Sequence, residues 1–278
     1  MSKGALIFAY NSTLDYVSLA TVAARLVKKY LDIPVTLVTN STMVIDGVFE
    51  NIILHDLGES RFERVFNFGI SKERVVWHNQ NRSSAYELSP YDQTLLIDAD
   101  FLVFNDHLKY LFETDLEIAC YNKVTDITGS KLLQAHARVG TPGIPMQWAT
   151  VVYFTKNKLA ESVFEFMRTV RNNYMYYSAA YNFDAHLFRN DYALSIALQA
   201  LTGYNTKKFT SIPGTLMTAN PEIQLTEVRR SGELIFHWQL RDKSKMMMNR
   251  LRNTNIHIMN KRTITDPAIL QQLIEYSL

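Results

Sequence analysis

Two aspartates separated by one residue, Asp98 and Asp100, lie between the apolar runs Thr94–Ile97 and Phe101–Phe104. Carboxylates placed between strand-forming residues are costly to bury unless a cation or hydrogen bonds compensate them. An Asp-x-Asp at the end of a strand can turn both carboxylates toward one divalent ion. Hard oxygen donors suit magnesium or manganese in that position. The plainer alternatives are a pair of solvated turn aspartates, or one aspartate capping a helix near His107; the flanking apolar runs weigh against both.

Such a pair needs a sheet to hold it, and the sequence supplies one. Ala5–Ala9, Val35–Thr39, Ile52–Leu54 and Thr94–Ile97 read as short apolar strands. Between the first two, Leu14, Val17, Leu19, Val22, Leu26 and Val27 recur near helical spacing, and Lys28-Lys29 fall where a helix C-terminus favours cations. Continuous apolar strands alternating with helices predict an α/β domain with a parallel sheet covered on both faces. Further strands are expected at Glu117–Tyr121, Ala149–Phe154 and Glu233–His237, and helices at Lys158–Asn173 and Asp191–Leu201. In open α/β sheets, ligands sit outside the carboxyl ends of the strands. That rule singles out Tyr10-Asn11, Thr39-Asn40, Asp98-Ala99-Asp100 and the segment around His237.

Composition removes several classes. The 278 residues, 47% of them hydrophobic, provide for a sizeable core and exclude intrinsic disorder. The single cysteine, Cys120, excludes a disulfide framework and a cysteine-based zinc cluster. The N-terminal run Ala5–Ala9 is shorter than the roughly 7–15 apolar residues of a signal-peptide core, and no segment approaches the ~20 of a membrane span. A cytoplasmic protein is the resulting expectation. No repeat or linker is visible, so a single domain at 1–240 with a basic extension at 241–278 packed on it is the simplest organisation.

The segment Pro90-Tyr91-Asp92-Gln93-Thr94-Leu95-Leu96-Ile97-Asp98-Ala99-Asp100-Phe101-Leu102-Val103 resembles the core signature of GT-A-fold glycosyltransferases, in the form found in the glycogenin-like group, carbohydrate family 8. The resemblance implies a Rossmann-like, mostly parallel central sheet with flanking helices. It also implies a DxD motif holding manganese against the diphosphate of a nucleotide sugar. Ile235-Phe236-His237 with Lys243 six residues after the histidine is similar to the family's H-x-x-G-x-x-K-P-W segment, although Leu240, Ser244 and Lys245 replace its Gly, Pro and Trp. By resemblance, Asp98, Asp100 and His237 would be the metal ligands and Lys243 would touch the donor phosphates. A partly buried histidine at a strand end, hydrogen-bonded to the backbone, is the alternative for His237.

The same resemblance extends to softer positions. Gln147-Trp148-Ala149-Thr150 stands where the family has an N-S-G strand beside the donor sugar, and departs from it at every letter. Asn190-Asp191 stands where the family has a D-Q dipeptide opening a helix, which places Asp191 under the reactive face of the sugar. Helix capping is the alternative for either residue. Ala9, Tyr10 and Asn11 occupy the place of the nucleobase and ribose contacts, and Arg82 that of a cation on the base and phosphates. For these, a strand-to-helix turn and a surface arginine are the respective alternatives.

Together these imply transfer of a hexosyl or pentosyl group from a nucleotide diphosphate, expected to be UDP, to an acceptor hydroxyl, with Mn²⁺ or Mg²⁺ bound. The family implies retention, either through a covalent intermediate on Asp191 or by front-face attack. The acceptor can be read only from charge. The net charge of +2 divides into −3 for residues 1–202 and +5 for 203–278, and 241–262 alone carries +6. A basic segment interleaved with Trp238, Gln239, Asn249, Asn253 and Asn255 suits a nucleic acid. The expected acceptor is hydroxymethylated cytosine in bacteriophage DNA, its base flipped out to reach the site. A lipopolysaccharide or other glycan is the alternative, as is a solvated basic face with no acceptor role. Two other classes stay open: a sugar nucleotidyltransferase, disfavoured by the glycine-free Tyr10–Thr13 turn, and a non-catalytic nucleotide-sugar-binding protein.

Overall fold

The computed structural model describes residues 1–11, 14–44, 47–55, 63–67, 72–76, 79–130, 137–140, 143–184, 187–203, 209–240 and 245–278. The chain opens with β1 (Lys3–Ala9), whose last six residues are buried, followed by α1 (Tyr16–Leu31) and β2 (Val35–Thr39). β3 (Asn51–Leu54) and the hairpin of β4 (Glu63–Asn67) and β5 (Lys72–Val76) come next. A 3₁₀ segment, Asn79–Ser84, runs into the single turn α2 (Ala85–Leu88). β6 (Gln93–Asp98) and β7 (Phe101–Leu102) flank the Asp98–Asp100 turn. After a second 3₁₀ segment, His107–Glu113, come β8 (Ile118–Tyr121), β9 (Val124–Asp126), β10 (Arg138–Val139), β11 (Ile144–Pro145) and β12 (Trp148–Thr155). Three helices follow: α3 (Lys158–Asn172), α4 (Tyr174–Tyr181) and α5 (Asn190–Thr202). The remaining strands are β13 (Phe209–Ser211), β14 (Leu216–Ala219), β15 (Gln224–Val228), β16 (Leu234–Gln239), β17 (Met246–Leu251) and β18 (Ile256–Ile258). The chain closes with α6 (Lys261–Ile264) and α7 (Pro267–Ser277).

The central sheet has seven strands in the order β13-β8-β12-β6-β1-β2-β3. Every neighbouring pair is parallel except the two that β12 makes with β6 and β8, so six strands run one way and β12 runs against them. This is the α/β class with a mostly parallel central sheet that the apolar strands predict. β1 beyond Lys3, all of β2 and the middle of β6 are buried, as strands covered on both faces must be.

Local chemistry sets the ends of these elements. Asp15 caps α1 by accepting from the Ser18 N–H at 3.1 Å, and Asp32 closes the helix in the left-handed region at φ 56°. The Pro90-Tyr91-Asp92 turn is locked against β1. The Tyr91 ring covers Gly4, where a Cβ would lie 2.4 Å from it, and Asp92 accepts from the Ser2 backbone at 2.8 Å. Any larger residue at position 4 would push the ring away and with it the start of β6.

A second sheet, in the order β7-β18-β14-β9, stands at the carboxyl end of β6. Residues beyond 240 supply one of its inner strands, β18, which lies between β7 and β14. They also supply β17, paired with β16, and α7, which packs on α1 and β15. No helix among the described residues is long and apolar enough to cross a membrane.

Candidate functional site

β6 ends at Asp98, two turn residues follow, and Asp100 hands the chain to β7. β18 returns antiparallel along β7, with His257 opposite Phe101 and the Ile258 N–H donating to the Asp100 carbonyl at 3.0 Å. That pairing brings the His257 ring to the turn: its Nε2 lies 3.2 Å from Asp100 Oδ2. One ligand atom each from Asp98, Asp100 and His257 falls within 4.8 Å of the others. Two carboxylate oxygens and an imidazole nitrogen are a donor set suited to a divalent ion such as manganese. The set fits the metal that the family resemblance implies.

Both aspartates also face cations of the chain. Arg82, on the 3₁₀ segment before α2, is 2% exposed and its Nη1 pairs with Asp98 Oδ1. Its Nε and Nη2 are buried without a hydrogen-bond partner among the described residues. Lys261 opens α6 directly after β18; its ammonium pairs with Asp100 and lies 3.4 Å from the Ile258 carbonyl. Asn260 caps that turn from a buried position, accepting from Thr263 N–H and donating to the Pro221 carbonyl at 2.9 Å. The backbone that carries Lys261 is therefore fixed from two sides.

The start of β12 and the start of α5 meet, although 42 positions separate Ala149 from Asp191. Asp191 Oδ1 accepts from the Ala149 N–H at 2.8 Å, and Oδ2 accepts from Arg189 Nη2 at 3.0 Å and Nε at 3.3 Å. Burial pulls the Arg189 guanidinium down, but the Asp191 carboxylate and the neighbouring Tyr192 and Tyr174 carry it above its ordinary value. The guanidinium also lies over the rings of Tyr192, at 5.1 Å, and Trp148, at 5.8 Å. Gln147 is buried; its N–H donates to Ser195 Oγ at 2.7 Å and its Oε1 accepts from Cys120 Sγ at 3.4 Å. Trp148 Nε1 is buried without a hydrogen-bond partner among the described residues. Asn190 is the first residue of α5 and is buried.

At the end of β1, Ala9 and Tyr10 are buried, and burial raises the Tyr10 phenol well above its usual range. Its hydroxyl lies 3.3 Å from His55 Nδ1. Asn11 ties the loop together: its N–H donates to Asn40 Oδ1 at 2.8 Å, and its Oδ1 accepts from the Val17 N–H at 2.9 Å. These bonds clasp the ends of β1 and β2 and steady the start of α1.

The histidine beside the aspartates is His257, not His237. His237 lies on β16 in the separate sheet β15-β16-β17, where its Nδ1 is 2.7 Å from Thr226 Oγ1. Strand pairing is the physical reason: β16 is held between β15 and β17, whereas β18 is drawn against β7 at the mouth of the Asp98–Asp100 turn. Lys243 lies outside the described residues. The cation that meets Asp100 is Lys261, four residues after His257. One sequence signal for this pair existed: Ile256-His257-Ile258 is a short apolar strand pattern followed by the capping residue Asn260 and two cations. The spacing differs from the six-residue His-to-Lys interval of the glycogenin-like pattern.

No family model matches the chain, and no curated protein matches it in sequence. Solved structures similar to it include three glycosyltransferases. GlyE of Streptococcus pneumoniae TIGR4 shares 14% identity over 77% of this chain and 46% of its own, with a TM-score of 0.43. The galactosyltransferase LgtC, solved with donor and acceptor sugar analogues, shares 16% over 74% of this chain and 72% of its own, with a TM-score of 0.45. The bifunctional WbbM shares 12% over 76% of this chain and 39% of its own, with a TM-score of 0.41. This chain thus spans less than half the length of GlyE and of WbbM. Likeness of this extent leaves the chemistry to rest on the chain's own residues.

Proposed function

We propose that the chain is a metal-dependent glycosyltransferase of the GT-A type, moving a sugar from a nucleotide diphosphate to an acceptor hydroxyl. The observation that carries this reading is the gathering of Asp98, Asp100 and His257 at the carboxyl end of a central strand. The three would hold Mn²⁺ or Mg²⁺. When bound, such an ion offsets the charge that develops on a departing diphosphate. Arg82 would add fixed positive charge through Nε and Nη2, which have no hydrogen-bond partner among the described residues. UDP is the expected nucleotide.

Asp191 is better suited to positioning than to covalent attack. Both of its oxygens are engaged, one by a backbone N–H and one by a guanidinium, and charge-assisted bonds of this kind hold a carboxylate and reduce its nucleophilicity. That arrangement favours retention by front-face attack, with Asp191 and Arg189 shaping the floor of the sugar subsite beside Gln147 and Trp148. Tyr10 and Asn11, at the end of β1, would border the nucleoside.

The acceptor reading follows the exposed cations. Lys245, Arg250, Arg252 and Arg262 are exposed, whereas Lys261 belongs to the aspartate site. An anionic acceptor suits these four, and hydroxymethylated phage DNA is the specific proposal, with a glycan as the competing one. Incubation with a panel of radiolabelled sugar nucleotides and Mn²⁺, with and without hydroxymethylcytosine DNA, tests the whole reading. Label in the DNA is the expected result. Donor hydrolysis with unlabelled DNA would move the acceptor to a glycan. Inertness toward every sugar nucleotide would sink the enzyme assignment.

A further inference from the structure

We propose that the cleft between the last turns of α1 and the end of α7 is a second anion site, one that takes a phosphate group. It goes beyond the glycosyl-transfer reading and does not depend on it. The cleft has a volume of about 490 Å³. Arg25, Lys28 and Lys29 form its α1 wall, and the Gly47-Val48 segment and the end of α7 line the rest. No acidic side chain lines it. β1, β2 and β6 are mutually parallel, so α1, which joins β1 to β2, runs back along them. Its last turns therefore stand at the amino ends of the strands, the far end of the sheet from the Asp98–Asp100 turn that follows β6.

Helix ends account for only part of this gathering of cations. Lys28 and Lys29 lie in the last turn of α1, where the helix dipole favours positive charge. Lys29 is occupied besides: its ammonium donates to the Tyr276 carbonyl and lies 4.4 Å from the centroid of the Tyr276 ring. Arg25 stands one turn earlier, where that dipole has faded. It is spaced three and four residues from the two lysines, so the like charges repel along one helix face. Among the described residues, the side chains of Arg25 and Lys28 form no hydrogen bond or ion pair, with Leu278 or with any other group. Arg25 Nε is moreover buried without a hydrogen-bond partner among those residues. A buried charged donor left unpaired is costly, and an anion in the cleft would pair it and relieve the repulsion together.

The wall selects the class of ligand. A planar guanidinium can meet two oxygens of one phosphate, and a neighbouring ammonium adds a point charge. The volume falls within the ~300–1,000 Å³ of small-molecule sites, so a phosphate ester or diphosphate of a small solute fits.

Calorimetric titration of the full chain with inorganic pyrophosphate tests the site; EDTA is included so that no divalent ion can draw the probe to the aspartates. Binding is expected, and Arg25→Gln and Lys28→Gln should each weaken it ~10–100-fold, the loss of one hydrogen bond to a charged group. Lysine acylation read by peptide mass spectrometry locates the probe without any variant. Pyrophosphate should protect Lys28 and leave the exposed Lys245 as reactive as before. Sedimentation with phosphatidylglycerol vesicles distinguishes a free solute from a lipid. Arg25-dependent vesicle binding, with no heat from pyrophosphate, would keep the phosphate and place it on a lipid headgroup. Failure of both probes would overturn the inference, as would pyrophosphate binding that neither variant weakens and that leaves Lys28 unprotected. Sugar transfer is read separately, from donor turnover, and stands or falls apart from these results.

Discussion

Among the histidines, two stand on late strands and only one can matter to the aspartates. Replacing His257 with Ala should weaken Mn²⁺ binding in the presence of UDP by more than the ~10–100-fold that loss of a supporting residue brings, whereas His237→Ala should leave it within about twofold. A titration followed from the electron paramagnetic resonance signal of free Mn²⁺ checks both. The His237 ring instead meets Thr226 across a strand pair. Cys120 illustrates the opposite extreme, a group shielded from chemistry. Burial, with the charge of Asp191 added, pushes its thiol far up. The native thiol therefore keeps its proton after the unfolded thiol, ionising near pH ~8.5, has lost it. With more protons bound in the folded state, stability falls as pH rises above that ordinary thiol value, and is unaffected by this group below it. At pH 9, Ellman's reagent should react with native protein only at the rate of opening, and at once in denaturant. Fast labelling of native protein would contradict the burial of Cys120.

Elements in this fold are set by caps and short turns as much as by their apolar faces. α7 begins Asp266-Pro267, with the Asp266 carboxylate accepting from Ala268 N–H at 3.0 Å and Ile269 N–H at 3.3 Å. Asp266→Ala removes both bonds and should destabilise the protein by about 1 kcal/mol, read from the urea midpoint. The first strands and helices were legible because each carries a continuous or 3.6-residue apolar pattern: β1, β2, β6, α1, α3 and α5 lie close to where the sequence puts them. The apolar run Phe101–Phe104 marked the place of β7, but β18 was not foreseen, because a strand of three residues is too short to show a period. Their pairing is a tertiary event, and it is the one that selects His257.

At the scale of the whole molecule, the last forty residues are woven into the rest rather than attached to it. Leu273 on α7 is fully buried, and the helix packs on α1 and β15. Leu273→Ala should cost about 2–5 kcal/mol, seen in the same urea denaturation as a single cooperative transition at lower midpoint. A separate early transition confined to the C-terminal region would show instead that α7 unfolds on its own. The charge arithmetic changes meaning at this scale too. The basic run 241–262 counts +6 in sequence, yet Lys261 is spent on Asp100, and the exposed cations among its described residues, Lys245, Arg250, Arg252 and Arg262, are spread from just before β17 to α6.

The sequence by itself determined the α/β class, the alternation that builds a mostly parallel sheet, and the strand that ends in Asp98-Ala99-Asp100. Those features are local, carried by apolar periodicity and by residues adjacent in the chain. The tertiary structure alone decided that His257 and Lys261 face the aspartates and that the β12 backbone holds Asp191. Those are contacts across many tens of residues. The pairing of two short strands sets the first, and the packing of α5 against the start of β12 sets the second; neither leaves a period in the sequence.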